Sequence, residues 1–71
     1  MINCLVLFNS VHDVIKAEKL IKAQGYDYQI VPVPSNISSE CGMCIEISNE
    51  RSVEVSSLLE KNQVKHQISI K

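Results

Sequence analysis

The sequence predicts a small α+β domain with the element order βαββαβ. The chain has 71 residues, which is enough for one domain with one modest core. Four short segments are rich in strand-forming residues, and two segments with apolar residues at helical spacing lie between them. We therefore expect residues 1–71 to fold as a single domain.

The first strand and the first helix are predicted from an apolar run and a capping pattern. Ile2 to Phe8 is almost continuously apolar, as is typical of a strand covered on both faces. Ser10 followed three residues later by Asp13 resembles a capping box, and Gly25 predicts a left-handed helix end. The predicted inner stripe of this helix consists of Val11, Val14, Ala17 and Ile21, widened by Ile15 and Leu20.

Two further strands flank a polar loop. Tyr26 to Val31 predicts the second strand, and Pro32 ends it or confines it to a sheet edge. The loop runs from Pro32 to Gly42. Met43 to Ser48 alternates in polarity and predicts the third strand, with Met43, Ile45 and Ile47 on one face and Cys44, Glu46 and Ser48 on the other.

The chain closes with a second helix and a fourth strand. Asn49 or Ser52 can cap the helix, which is predicted to reach about Asn62 with Val55, Leu58 and Leu59 as its inner stripe. The segment from Val64 to Lys71 alternates again and predicts the last strand. Val64, His66, Ile68 and Ile70 share one of its faces.

This order in about 70 residues most often gives a ferredoxin-like sandwich, a four-stranded antiparallel sheet with both helices on one face. In the usual strand order 4-1-3-2, the end of strand 1, the start of helix 1 and the loop between strands 2 and 3 share one sheet end. We therefore expect Cys41 near Ser10 and His12, with His66 as a weaker candidate neighbour. Because strand 1 is apolar on both sides, the face without helices is a candidate homodimer interface.

Composition argues against several function classes. Seven basic and eight acidic residues give a net charge of −1, and no run of Lys or Arg could follow a nucleic acid backbone. The apolar stretch 1–8 is too short to span a bilayer and lacks the basic flank of a signal peptide. Three cysteines, an odd number, favour free thiols in a reducing compartment. We expect a cytoplasmic protein without a nucleic acid or membrane partner.

Cys41 is the candidate reactive thiol. It lies in the polar loop next to Gly42, and a glycine lets backbone N–H groups approach a thiolate closely. A helix N-terminus nearby would lower the pKa of the thiol. Ser38 and Ser39 would shape its surroundings, and His12 is a possible thiolate partner. The alternative is an incidental loop cysteine.

Cys44 completes a Cys-x-x-Cys pair with Cys41. Three residues of an extended segment span roughly 10 Å, beyond the ~7 Å that a disulfide tolerates, so a disulfide would need a turn. Cys44 is therefore either a resolving thiol or a packed small side chain. Thiolates also select Cu(I) or Zn. For zinc, two cysteines fall short of the four ligands of a structural site, and only His12 or His66 could complete it. We expect no resident metal, and we expect Cys4 to lie in the core.

Three segments carry a family resemblance. They are Phe8-Asn9-Ser10 with Lys16-Ala17-Glu18-Lys19-Leu20, then Val31-Pro32-Val33-Pro34, then Ile37-Ser38-Ser39-Glu40-Cys41-Gly42. Together they resemble the selenium/sulfur carrier-like proteins, a family formerly described as a domain of unknown function. The resemblance implies that Cys41 accepts sulfur or selenium as a persulfide or selenosulfide from a donor protein such as a cysteine desulfurase.

A carrier of this kind makes few demands on a small domain. It needs one accessible thiolate, since attack on a sulfane sulfur resembles thiol exchange and a persulfide is a reversible cap. It needs no cleft, cofactor or metal, so we expect a carrier or binding protein rather than a stand-alone enzyme. The alternatives are a non-catalytic homodimeric interaction or regulatory module and, less favoured, a soft-metal chaperone.

Overall fold

Four strands and two helices follow one another in the predicted order. The computed structural model describes residues 3–34 and 42–70. For Ile70 it describes the backbone only. The elements are β1 (Asn3–Leu7), α1 (Val11–Ala23), β2 (Gln29–Pro32), β3 (Met43–Ser48), α2 (Ser52–Lys61) and β4 (Gln67–Ile70), with a 3-10 turn at Asn49–Arg51 before α2. The predicted α+β fold of ferredoxin-like type is confirmed.

The sheet has the order β2-β3-β1-β4, and every neighbouring pair is antiparallel. This is the predicted order 4-1-3-2. Leu7, the last residue of β1, pairs with Cys44 on one side and with Gln67 on the other. The end of β1 and the starts of β3 and β4 therefore share one end of the sheet, which we call the Leu7 end.

Both ends of α1 form as the sequence predicts. The Ser10 side chain accepts a hydrogen bond from the backbone N–H of Asp13 at 3.3 Å. At the other end Gly25 has a φ of +78°, and its N–H donates to the Lys22 carbonyl while the Tyr26 N–H donates to the Ile21 carbonyl. These two bonds make a Schellman motif, which satisfies the last carbonyl groups of the helix.

The buried stripe of α1 is narrower than predicted. Val14, Ala17 and Ile21 are buried, whereas Val11 is 44% and Ile15 46% exposed, so the prediction was wrong for these two residues. Successive residues of an α-helix are about 100° apart, which turns Ile15 away from the face that Val14 buries. Val11 stands in the first turn, at the very end of the helix.

Two strands begin later than predicted because the preceding helix ends use their backbone groups. The Tyr26 N–H is bonded to Ile21, and the ladder of β2 starts only at Gln29, opposite Glu46. Likewise the Val64 N–H donates to the Leu59 carbonyl at 2.8 Å, and β4 starts at Gln67. Pro32 ends an edge strand, where a missing N–H does no harm.

The core lies on both faces of the sheet. Cys4, Val6 and Phe8 of the β1 segment pack with the helices, and the rest of this cluster consists of Val14, Ala17, Ile21, Ile45, Ile47, Val55, Leu59 and Val64. On the opposite face Leu5, Leu7 and Cys44 form a second buried cluster, with Val31 and Val33 packed against it. This two-sided burial explains why the first strand is apolar throughout. In the described part of the chain, neither helix has the length and apolarity needed to cross a membrane.

Candidate functional site

The loop between β2 and β3 leaves the sheet at the Leu7 end. A hydrogen bond of 3.1 Å from the Val33 N–H to the Gly42 carbonyl joins the two ends of the loop. It follows directly after the last pair of the β2–β3 ladder, Pro32 with Met43. Gly42 has a φ of +72°, in the left-handed region, and an added Cβ there would meet nothing within 4 Å. The glycine is therefore needed for its backbone conformation and not for space.

Three residues predicted for the site lie outside the described residues. They are Cys41, the candidate acceptor thiol, and Ser38 and Ser39. Cys41 is joined by one peptide bond to Gly42. The expected approach of Cys41 to Ser10 and His12 therefore stays a prediction.

The start of α1 lies at the sheet end where the prediction requires it. Ser10 and His12 are both exposed, and they follow the last residue of β1 by three and five positions. The Ser10 hydroxyl oxygen is occupied by the Asp13 N–H as a helix cap. The structure thus brings the N-terminus of α1 and Gly42 to one end of the sheet, because Leu7 pairs with Cys44.

Cys44 lies inside the sheet face opposite the helices. It is fully buried, and it pairs with Leu7 of β1 on one side and with Val31 of β2 on the other. Such burial suits a packed small side chain. To act as a resolving thiol, Cys44 would have to be exposed by movement of the residues that bury it. The resolving role stays a prediction.

Cys4 is confirmed as a core residue. It is fully buried on the helix side of the sheet, and burial raises the pKa of its thiol above the ordinary value. Since the nucleophile is the thiolate, a thiol that holds its proton more tightly is less reactive. Cys4 and Cys44 are both thiols, and they occupy opposite faces of the sheet.

His66 lies just before β4, at the Leu7 end, but its ring is engaged with α2. The Nδ1 atom lies 3.0 Å from the Val64 carbonyl oxygen, and the Nε2 atom lies 3.0 Å from the Ser56 hydroxyl oxygen. Ser56 was not singled out in the sequence, because a serine one position after the buried Val55 carries no signal of its own. Only the packing of α2 beside β4 brings Ser56 and His66 together.

Among residues 3–34 and 42–70, no three His, Cys, Asp or Glu side chains cluster closely enough to hold a metal ion. The described residues therefore provide no metal centre.

The fold and the loop define a class of protein, a small βαββαβ domain with a cysteine in its β2–β3 connection. The family described as "Putative Se/S carrier protein-like" matches residues 3–70, nearly the whole chain, and the protein belongs to this family. Neither the curated proteins nor the solved structures give a significant match.

Proposed function

We propose that the protein carries sulfur or selenium on Cys41 as a persulfide or selenosulfide. The family supports a carrier role in general. The observation that carries the choice of Cys41 is the burial of the other two cysteines. Cys4 and Cys44 are each fully buried, one on each face of the sheet.

A carrier thiol must be reached by the active site of its donor. Neither buried sulfur meets this requirement without a rearrangement of the core, and burial raises the pKa of the Cys4 thiol, which makes it a poorer nucleophile. Cys41 belongs to a polar connection that starts and ends at the Leu7 end of the sheet. It is therefore the cysteine to which we assign the acceptor role.

The transfer is a thiol exchange at a sulfane sulfur. The Cys41 thiolate attacks the outer sulfur of a persulfide on a donor such as a cysteine desulfurase. A new S–S bond forms on Cys41, the S–S bond of the donor breaks, and the donor cysteine leaves as a thiolate. The exchange needs no external oxidant or reductant, and an outgoing transfer to an acceptor reverses the roles. When the transferred atom is selenium, the product on Cys41 is a selenosulfide.

We propose that the Cys41 thiolate is surrounded by small and polar groups. The N-terminus of α1, capped by Ser10, supplies a partial positive charge at the same sheet end. We assign Ser38, Ser39 and the Gly42 N–H as hydrogen-bonding neighbours and His12 as a thiolate partner. The left-handed Gly42 sets the direction in which the chain enters β3.

The acceptor thiol must be reduced before it takes up sulfur, and cytosolic thiols are kept reduced, so we place the protein in the cytoplasm. The predicted homodimer would use the sheet face opposite the helices. There Leu5, Leu7 and Cys44 are already only 2%, 8% and 0% exposed in the single chain. A carrier that acts as a single chain is therefore the simpler proposal, and sedimentation over a range of concentrations tests the dimer.

Transfer from a cysteine desulfurase supplied with radiolabelled cysteine tests the proposal. We expect the wild-type protein and the Cys4→Ala and Cys44→Ala variants to gain reductant-labile label, and Cys41→Ser to gain none. If Cys44 resolves the persulfide, Cys44→Ala will hold the label longer than the wild type. Labelling of Cys41→Ser at the wild-type rate would exclude the proposed acceptor.

A further inference from the structure

A hydroxyl–imidazole pair joins α2 to the segment that precedes β4. The Val64 carbonyl oxygen can only accept a hydrogen bond, so the His66 Nδ1 atom at 3.0 Å carries the proton of the neutral ring. The Nε2 atom then holds a lone pair, and the Ser56 hydroxyl at 3.0 Å donates to it. Hydroxyl, base and a group that orients the base thus form one chain of hydrogen bonds, the arrangement that activates serine nucleophiles.

The serine of this pair opens onto a surface groove. The groove has a volume of about 340 Å³ and is lined by Ser52, Val53, Ser56, Ser57, Glu60 and Ile68. Val53 is 78% and Ile68 is 38% exposed, so both offer apolar surface to a ligand. The only charged residue of this lining is Glu60, which disfavours anions such as phosphate donors. The groove therefore suits a small, uncharged or cationic molecule with an apolar part.

We propose that Ser56 is a nucleophilic hydroxyl that accepts a short acyl group from an uncharged or cationic activated ester or thioester, with His66 as its general base. The Ser56 Oγ atom forms a bond to the acyl carbon while its proton passes to the His66 Nε2 atom. The bond from the acyl carbon to the leaving oxygen or sulfur breaks, and the leaving group takes up that proton. No oxidation or reduction occurs, and Cys41 takes no part.

The neighbouring serine is a built-in control. Ser57 lines the same groove and is more exposed than Ser56, but no hydrogen bond joins it to His66 in the described structure. Unassisted acylation would therefore favour Ser57. A positioned general base raises the rate of reaction by about 10²- to 10⁴-fold. If His66 acts as the base, Ser56 is therefore acylated in preference to Ser57.

The test is carbamoylation with a neutral p-nitrophenyl carbamate, because carbamoyl serine hydrolyses slowly enough to be mapped. Peptide mass spectrometry of the folded protein then reports each serine separately and distinguishes serine from thiol adducts, whether or not Cys41 is a carrier. We expect at least about tenfold more label on Ser56 than on Ser57. The His66→Gln variant keeps hydrogen-bonding atoms at position 66 but loses the general base. We expect the carbamoyl label on Ser56 in this variant to fall to the level found on Ser57.

Equal or lower labelling of Ser56 in the wild type overturns the proposal, and this comparison needs no variant. Unchanged Ser56 labelling in His66→Gln overturns the role of His66. Circular dichroism of that variant confirms that the comparison is made on folded protein.

Discussion

At the scale of single residues, the two helix ends show what a left-handed position costs. Both α1 and α2 end in Schellman motifs, with Gly25 at a φ of +78° in the first and Gln63 at +61° in the second. Glycine adopts this region freely, whereas a side chain costs roughly 1–2 kcal/mol there. The sequence signalled the first position by its glycine and gave no signal for the second.

This difference predicts opposite effects of two exchanges. Gln63→Gly removes the strain and should raise the free energy of unfolding by about 1 kcal/mol. Gly25→Ala introduces the same backbone strain, and its added Cβ meets no atom within 4 Å. This exchange should therefore lower the free energy of unfolding by about 1–2 kcal/mol. Urea unfolding measures both, and a Gln63→Gly variant less stable than the wild type would contradict this account.

The cap of α1 is the second residue-scale feature. Ser10→Ala leaves the Asp13 N–H without its hydrogen bond acceptor and should cost about 1 kcal/mol. Ser10→Asp restores an acceptor and should recover most of that loss. Thermal unfolding of the three proteins tests the cap, and equal stability of Ser10→Ala and the wild type would show that the cap contributes little.

At the scale of elements, one pair of facing residues shows how burial differs between a central strand and an edge strand. Ile30 of β2 pairs with Ile45 of β3, but Ile45 is fully buried whereas Ile30 is exposed on the edge strand. Removing one methyl group from a buried isoleucine leaves a cavity as well as losing burial. Ile45→Val should therefore cost about 0.5–1.5 kcal/mol, and Ile30→Val clearly less. Equal losses in urea unfolding would contradict the placement of β2 at the edge.

At the scale of the whole molecule, the stability should fall at alkaline pH. Burial raises the pKa of Cys4 above the ordinary value of a thiol, and side-chain hydrogen bonds to Glu54 and Glu18 raise the pKa of Tyr26 and Tyr28, respectively, above the ordinary value of a phenol. Above these ordinary values the unfolded chain loses protons that the folded protein keeps. Folding is then progressively disfavoured as the pH rises toward the folded-state values.

Urea unfolding between pH 7 and pH 11 measures this dependence. The Cys4→Ala variant lacks the buried thiol, so its stability should decline less steeply with pH than that of the wild type. Parallel curves for the two proteins would show that Cys4 does not contribute.

The parts of the fold that the sequence predicted are those fixed by local patterns. The alternation of Met43 to Ser48 gave the bounds of β3, and Ser10 and Gly25 marked the ends of α1. The late starts of β2 and β4 could not be predicted, because they depend on which backbone groups the helix ends use. The exposure of Ile15 depends on how the helix is rotated on the sheet.

The candidate site was predicted in a similar way. Periodicity placed Cys44 on the face opposite Ile45 and Ile47, and the strand order placed the β2–β3 loop at the end where α1 begins. Neither could indicate that Cys44 is fully buried on a face without helices, or that His66 binds Ser56. Both depend on side-chain packing between segments that are distant in sequence.

We propose that Cys41 is the accessible and activated thiol on which the protein carries sulfur or selenium. The most direct measurement is the rate of alkylation of each cysteine in the native protein as a function of pH, read by peptide mass spectrometry. We expect Cys41 to react rapidly with an apparent pKa below the ~8.5 of a free thiol, and Cys4 and Cys44 to react slowly. Slow alkylation of Cys41, or an ordinary pKa for its reaction, would contradict the account.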